Sequence, residues 1–200
     1  MTGGLANSAG ELLRRPLVAR VMAARGDALV VSGLGAPTYD VAAASDDPRT
    51  FHFWGAMGLA AMTGLGLAVA RPHDRVLVVT GDGDMMMGIG SLATIARAAP
   101  RNLAILVLDN QRFGETGDQP SLTDGPADIA AMARGAGLAR VDDVSAEAGV
   151  ETMIEALYRA RGPALCVAHV ARGEDPKVLP EWDGPRQVAA FKAALQDPVS

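Results

Sequence analysis

Two polar clusters, each closing an apolar run, carry the chemistry of this chain. Gly81-Asp82-Gly83 follows Val76–Thr80, and Asp109-Asn110 follows Leu103–Leu108, with residues 84–109 between Gly83 and Asn110. Both apolar runs read as buried parallel strands joined by a helix, which delivers both clusters to one rim of a sheet. Ligands of open α/β sheets bind outside the carboxyl ends of the strands. Asp82 offers a charged carboxylate oxygen and Asn110 an amide oxygen. Such an all-oxygen set suits Mg²⁺, which is commonly held by one or two carboxylates together with substrate phosphates. Gly81 and Gly83 allow close approach where a Cβ would obstruct. A helix expected to begin just after Gly83 points unpaired N–H groups at the same place, a ready anion site. The combination reads as a socket for a metal-bound diphosphate, with Asp84 and Met85 at the first turn of the helix.

Two other readings fit parts of the same stretch. Asp82 and Asn110 are also common turn residues, but independent turns carry no fixed relation to one another. Gly88-Ile89-Gly90-Ser91-Leu92-Ala93 matches the spacing of a dinucleotide-binding turn. That motif belongs directly on a strand-to-helix turn, whereas here it is expected to begin inside the helix. Gly88 and Gly90 therefore read as sites of close packing.

The elements that must position these groups can be taken in chain order. Leu17, Val18, Val21 and Met22 recur at helical spacing, with Pro16 in the first turn. Residues 28–32 form a short buried strand, and Gly33–Thr38 a tight turn into a second helix. Backbone at Gly35 and the hydroxyls of Ser32 and Thr38 could reach a phosphate there, or the hydroxyls could simply cap the helix. Phe51–Gly58 leads into a small-residue helix ending near Ala70, whose interior glycines each cost about 1 kcal/mol relative to Ala. Close packing against the sheet or a second subunit has to offset that cost. Gln111–Gly125 has no periodicity and reads as a long loop beside the metal site, with Glu115 and Gln119 as candidate contacts. Further on are a helix over 126–136 with Ile129 and Met132 inward, a strand over 138–141, a helix over 147–161 capped by Ser145, and a buried strand over 164–170 containing His169. An irregular tail from about 172 precedes a final helix over 187–195. This alternation predicts an α/β fold, a single doubly wound parallel sheet with helices on both faces, in one domain over residues 1–200.

Composition narrows the function classes. A net charge of −5 with no basic run argues against nucleic acid, and no apolar stretch approaches the roughly 20 residues of a membrane span. The N-terminus lacks the pattern of a secretory signal, so a cytoplasmic location is expected. Cys166 stands alone and reads as a small core residue.

Gly81-Asp82-Gly83 with Asn110 at this interval resembles the thiamine diphosphate motif, and the run FHFWGAMGLAAMTGLGLA upstream is similar to the family's cofactor-bending segment. Within that family the chain resembles the sulfopyruvate and phosphonopyruvate decarboxylase group. The resemblance implies that Asp82, Asn110 and the backbone carbonyl of Arg112 hold the metal, Mg²⁺ or another divalent cation. Gly81 and Gly83 of the motif, with Asp84 and Met85 beside them, are then expected around thiamine diphosphate, joined by Ser32, Gly35 and Thr38 from their position at a strand end, and the resemblance implies that Gly55 and the Met57 backbone meet its pyrimidine edge. Met57 would wedge the two rings into a V. The family builds its site between two similar domains, and this chain resembles only the one that binds diphosphate. The catalytic glutamate is therefore expected on a partner chain, a separate pyrimidine-binding subunit, in a heterotetramer or larger. The expected reaction is decarboxylation of a small 2-oxoacid. A carboligase half related to acetolactate synthase and a non-catalytic cofactor-binding module are the alternatives. Arg112, Glu115 and Asp118 stand where the group has smaller or uncharged residues.

Overall fold

The computed structural model describes residues 4–196. Six parallel strands make the central sheet: β1 (Leu29–Ser32), β2 (Thr50–His52), β3 (Val76–Gly81), β4 (Leu103–Asp109), β7 (Arg140–Val144) and β8 (Ala164–His169), in the order β2-β1-β3-β4-β8-β7. Two further strands, β5 (Arg112–Phe113) and β6 (Gln119–Pro120), form a small antiparallel hairpin of their own. The helices are α1 (Arg14–Ala23), α2 (Ala36–Ala44), α3 (Ala60–Ala70), α4 (Asp82–Met87), α5 (Ser91–Ala98), α6 (Ile129–Gly135), α7 (Val150–Arg159) and α8 (Gly184–Ala194).

Strand alternation builds two cores, one on each face. Val30, Leu77, Val79, Leu106 and Cys166 point toward α1, α2 and α7. Val31, Val78, Ile105, Val107 and Leu165 point toward α3, α5 and α6. The central strands are therefore apolar on both sides, as a sheet covered on both faces requires. The chain leaves β1 toward β2 on one side and later runs from β3 toward β4 on the other. That reversal opens a crevice between the carboxyl ends of β1 and β3. The opposite edge is tied shut: the Asn102 amide donates to the carbonyls of Ala68, Arg71 and Asp74 at 3.1, 2.9 and 2.7 Å. The Arg75 guanidinium caps the last carbonyls of α7 at Leu157 and Ala160, 2.7 and 2.9 Å away.

Several local expectations need correction. Thr50–His52 is a strand on the sheet edge, paired with β1, where a connection into α3 was expected. The helix expected just after Gly83 starts two residues earlier, at Asp82, and is two pieces, α4 and α5, separated at Gly88–Gly90. Residues 111–125 are an ordered hairpin, with one 3-10 turn in its loop at Gly114–Thr116 and another after it at Leu122–Asp124, instead of a structureless loop. Met132 is turned outward. Ser145 caps nothing, since a 3-10 turn at Glu147–Gly149 precedes α7.

His52 gives the fold an acid-sensitive point. The ring is buried, with Nδ1 2.9 Å from Ser32 Oγ. Burial pushes its pKa down to about 4; Asp46 pulls upward and Arg25 adds a smaller downward push. The unfolded chain takes up this proton near pH 6.5, but the folded chain resists until about pH 4. Stability contributed above pH 6.5 is thus lost as pH falls toward 4, by roughly 3 kcal/mol. His52→Asn is expected to flatten the acid limb of a melting-temperature series between pH 7 and 4.5. An unchanged limb would show that other groups cause it.

Candidate functional site

The crevice at the β1/β3 reversal contains a cavity of about 130 Å³. The turn after β1 supplies Gly35 and Ala36, and the turn after β3 supplies Gly81, Asp82 and Gly83. Asn110 and Arg112 enter from the end of β4, and Met57 from the segment before α3. The parallel register explains the convergence, because Gly81 pairs directly with Leu108, so Asp82 and Asn110 leave adjacent strands near the same level.

Asp82 is 2 % exposed. Its Oδ2 accepts hydrogen bonds from Ser121 Oγ and, at 3.0 Å, from Thr123 Oγ1. Burial pushes its carboxyl above the usual carboxylate range, and the charge of Asp109 adds to the push, while the two hydroxyls oppose it. A cation is what this carboxylate lacks. Asn110 Oδ1 accepts from the Arg112 N–H at 3.1 Å, bending the chain around Gln111 at φ +62°. The Arg112 side chain is paired with Asp124 at 3.1 Å. Among the described residues no three His, Cys, Asp or Glu side chains gather as a metal cage. A metal held by Asp82, amide and backbone oxygens, and its ligand's phosphates fits this donor set. Gly83 is a close-packing glycine, since a Cβ there would run into the Phe113 ring.

Met57 is held in place by backbone geometry. Ala56 has φ +61°, a costly torsion for a residue with a Cβ that the surroundings must fix, and Gly58 has φ +90°, which glycine takes readily. The Gly58 N–H donates to Asp84 Oδ1 at 2.5 Å, and Asp84 Oδ2 accepts from Thr80. Asp84 lines the cavity, yet its carboxylate is occupied in fastening the Met57 turn to β3. Gly88 presses against the Gly58 carbonyl from the α4–α5 junction, where a Cβ would collide with that oxygen. Gly88 is therefore a close-packing glycine, as expected, while Gly90 has open space around it. The Met57 methyl group reaches Gly83, 3.4 Å from where its Cβ would stand.

The remaining expected contacts fall elsewhere. Ser32 and Thr38 are fully buried and bonded to one another at 2.7 Å, with Thr38 also donating to the Gly33 carbonyl. Neither hydroxyl reaches the cavity or caps α2, which begins without a side-chain cap. Met85 faces the core below α4, and Gly55 is exposed outside the cavity. Gln119 is exposed and bonds Thr116. Glu115 lies over Gly35 and accepts from Tyr39 Oη at 3.2 Å and Lys177 Nζ at 3.3 Å.

Ser121 and Thr123, on the return of the hairpin, bear on Asp82 with no spacing in the sequence to announce them. Thr123 Oγ1 also lies 2.7 Å from Asp109 Oδ1, so its one proton is shared between the two carboxylates, and Asp109 faces His169. His169 is raised to about 9 by its hydrogen bond to Asp109; burial opposes this and Asp143, 2.7 Å away, adds to it. Burial pushes Asp109 up, but the bonds from His169 and Thr123 outweigh it and hold the carboxyl below its usual range. A hydrogen-bonded chain thus runs from His169 through Asp109 and Thr123 to Asp82.

A parallel α/β sheet with a buried carboxylate and a cavity at its switch point has the architecture of α/β domains that bind ligands outside the carboxyl ends of their strands. Residues 34–168 match the family model described as thiamine pyrophosphate enzyme, C-terminal TPP binding domain, and the chain belongs to that family. It is 37% identical over 119 residues to the sulfopyruvate decarboxylase subunit beta of Methanocaldococcus jannaschii, covering 60% of this chain and 63% of that one. It is 36% identical over 159 residues to the phosphonopyruvate decarboxylase of Streptomyces viridochromogenes, covering 77% of this chain and 40% of that one. The chain thus spans less than two thirds of either relative's length. An X-ray structure from Mycobacterium smegmatis, described as a thiamin diphosphate-dependent enzyme, shares the fold, with a TM-score of 0.69 at 19% identity over 80% of this chain and 32% of that one.

Proposed function

We propose that this chain is the diphosphate- and metal-binding half of a two-chain thiamine diphosphate-dependent 2-oxoacid decarboxylase, acting on a sulfopyruvate- or phosphonopyruvate-like substrate. One observation carries the reading: Asp82, Asn110 and Met57 line a single cavity at the sheet's switch point. When bound, thiamine diphosphate supplies a carbanion at its thiazolium carbon and an electron sink for the departing carboxylate. The protein contributes binding, orientation and electrostatics. Asp82 and Asn110, with the Arg112 backbone, would hold Mg²⁺, and Gly81, Gly83 and Gly35 let the diphosphate settle against the backbone. Met57, braced through Gly58, Asp84 and Gly88, would fix the angle between the rings.

The reading requires a second chain. Two glutamates of this chain, Glu115 and Glu174, line the cavity, but Glu115 is already engaged by Tyr39 and Lys177. A pyrimidine-binding subunit carrying the catalytic glutamate would complete the site, and the subunit beta relatives support that arrangement. Native mass spectrometry of the chain purified from its own source tests this. A heteromer holding thiamine diphosphate and one divalent metal per site is expected, with cofactor lost on chelation. A homo-oligomer that carries the cofactor and has no partner would overturn the two-chain reading.

A further inference from the structure

Two arginines at the start of α1 line the same cavity as Asp82 and Asn110. Arg14 Nε donates to Asp40 Oδ2 at 2.6 Å and Arg15 Nε to Asp40 Oδ1 at 2.8 Å. Asp40, on α2, is fully buried. A single carboxylate thus aligns two guanidinium groups through their Nε atoms and leaves the outer nitrogens of both forks for other partners. Arg14 uses its own on the Gly173 carbonyl at 3.1 Å and, more distantly, on Asp175 at 3.7 Å. Arg15 Nη2 is buried and has no hydrogen-bond partner among the described residues. A buried donor left unpaired is costly, and a guanidinium fork is shaped to bind phosphate.

The neighbouring backbone favours the same ligand. Helix α2, nine residues long, begins at Ala36 without a side-chain cap, after Gly35 in a positive-φ conformation (+73°), and both residues line the cavity. Pro37 in its first turn has no N–H, so the Ala36 N–H and the positive end of the helix dipole are what add to the arginines. The acids of the cavity do not cancel this charge. Asp82 is the proposed metal ligand, Asp84 is engaged by the Gly58 N–H and the Thr80 hydroxyl, Glu115 is held by Lys177 and Tyr39, Asp175 is 39% exposed, and Asp118 and Glu174 are open to solvent.

We propose that Arg15, aligned with Arg14 by Asp40, receives the terminal phosphate of the diphosphate whose metal is held at Asp82. The proposal rests on the functional reading above and adds a contact outside its metal motif. A purely structural role, tying α1 to α2, is met by the Arg14–Asp40 pair alone and leaves Arg15 Nη2 unexplained.

Calorimetric titration in Mg²⁺ of the complex of this chain with its partner subunit, stripped of cofactor by chelation, tests this with three probes: thiamine diphosphate, thiamine monophosphate and inorganic pyrophosphate. Wild type is expected to prefer both diphosphates over the monophosphate. Arg15→Gln is expected to weaken the two diphosphates about ten- to a hundredfold, the range for a lost charged hydrogen bond, and to leave the monophosphate nearly unchanged. Arg15→Lys should restore part of the loss. Thermal melting should stay close to wild type because Asp40 keeps Arg14. Diphosphate binding equal in wild type and Arg15→Gln would overturn this contact and leave the cofactor reading standing. A parallel loss for all three probes would overturn it as well. Wild type binding neither diphosphate would overturn both.

Discussion

Asp82→Asn is expected to lower Mg²⁺-dependent thiamine diphosphate affinity at least a hundredfold, about 3 kcal/mol, while leaving the fold as stable as wild type or slightly more so. The two effects have opposite sign for one reason. Asp82 is buried, and its carboxyl is pushed above the ordinary range, so without a cation its ionised form destabilises the fold at neutral pH. Asparagine removes the charge at nearly the same shape, and its amide oxygen can still accept from Ser121 and Thr123. What it cannot supply is the anionic ligand that Mg²⁺ favours. Thermal melts with and without Mg²⁺ and thiamine diphosphate would show both effects. Ligand-induced stabilisation follows RT ln(1 + [L]/Kd), so wild type should gain and the variant should not. A variant that still binds the cofactor in a metal-dependent way would remove Asp82 from the metal site.

Gly88→Ala should be nearly as damaging, although Gly88 belongs to no metal motif. The new methyl group would meet the Gly58 carbonyl oxygen. Both sides of that contact are backbone, so no side chain can rotate away. Overpacking of this kind costs roughly 1–3 kcal/mol, and in a protein of this size each kcal/mol lowers the melting temperature by roughly 2–4 °C. Relief by moving the Gly58 turn carries the neighbouring Met57 with it and disturbs the Asp84 hydrogen bond that fastens it. Turnover is therefore expected to fall further than stability explains. Gly90→Ala provides the control, because its Cβ would meet nothing within 4 Å and its φ of −61° is ordinary. Equal behaviour of the two variants would contradict the packing account of the pair.

The parallel sheet was legible because its signal is local. Runs such as Val76–Thr80 and Leu103–Leu108 are apolar on both faces, and a helical pattern between them forces a crossover to a parallel neighbour. The meeting of Asp82 and Asn110 then follows from register. Elements too short for periodicity stayed hidden. β2 has three residues on an edge, and the β5–β6 hairpin has two per strand, its course set by left-handed torsions at Gln111 and Asp118. Gln111 carries no mark of such a torsion, while Gly117-Asp118, left-handed at both residues, signals a turn without fixing which short strands it joins. Contacts between distant side chains were hidden for a different reason. Asp40 reaches Arg14 and Arg15 across a helix pair, and Ser121 and Thr123 reach Asp82 only once the hairpin folds back. The one sequence clue to the first was two consecutive arginines at the head of an apolar helix.

The seal at the amino edge of the sheet has a mechanical consequence. Asn102 ties the end of α3 to the strands, and Arg75 does the same for α7 on the opposite face. Sheet and flanking helices are thereby braced into one stiff plate, anchored along a single border. The site lies on the other border, where the chain turns through Gly35, Gln111, Gly117 and Asp118, all with positive φ. A molecule arriving there meets a firm floor, so any adjustment that admits it falls to the loops at that rim, without bending of the domain.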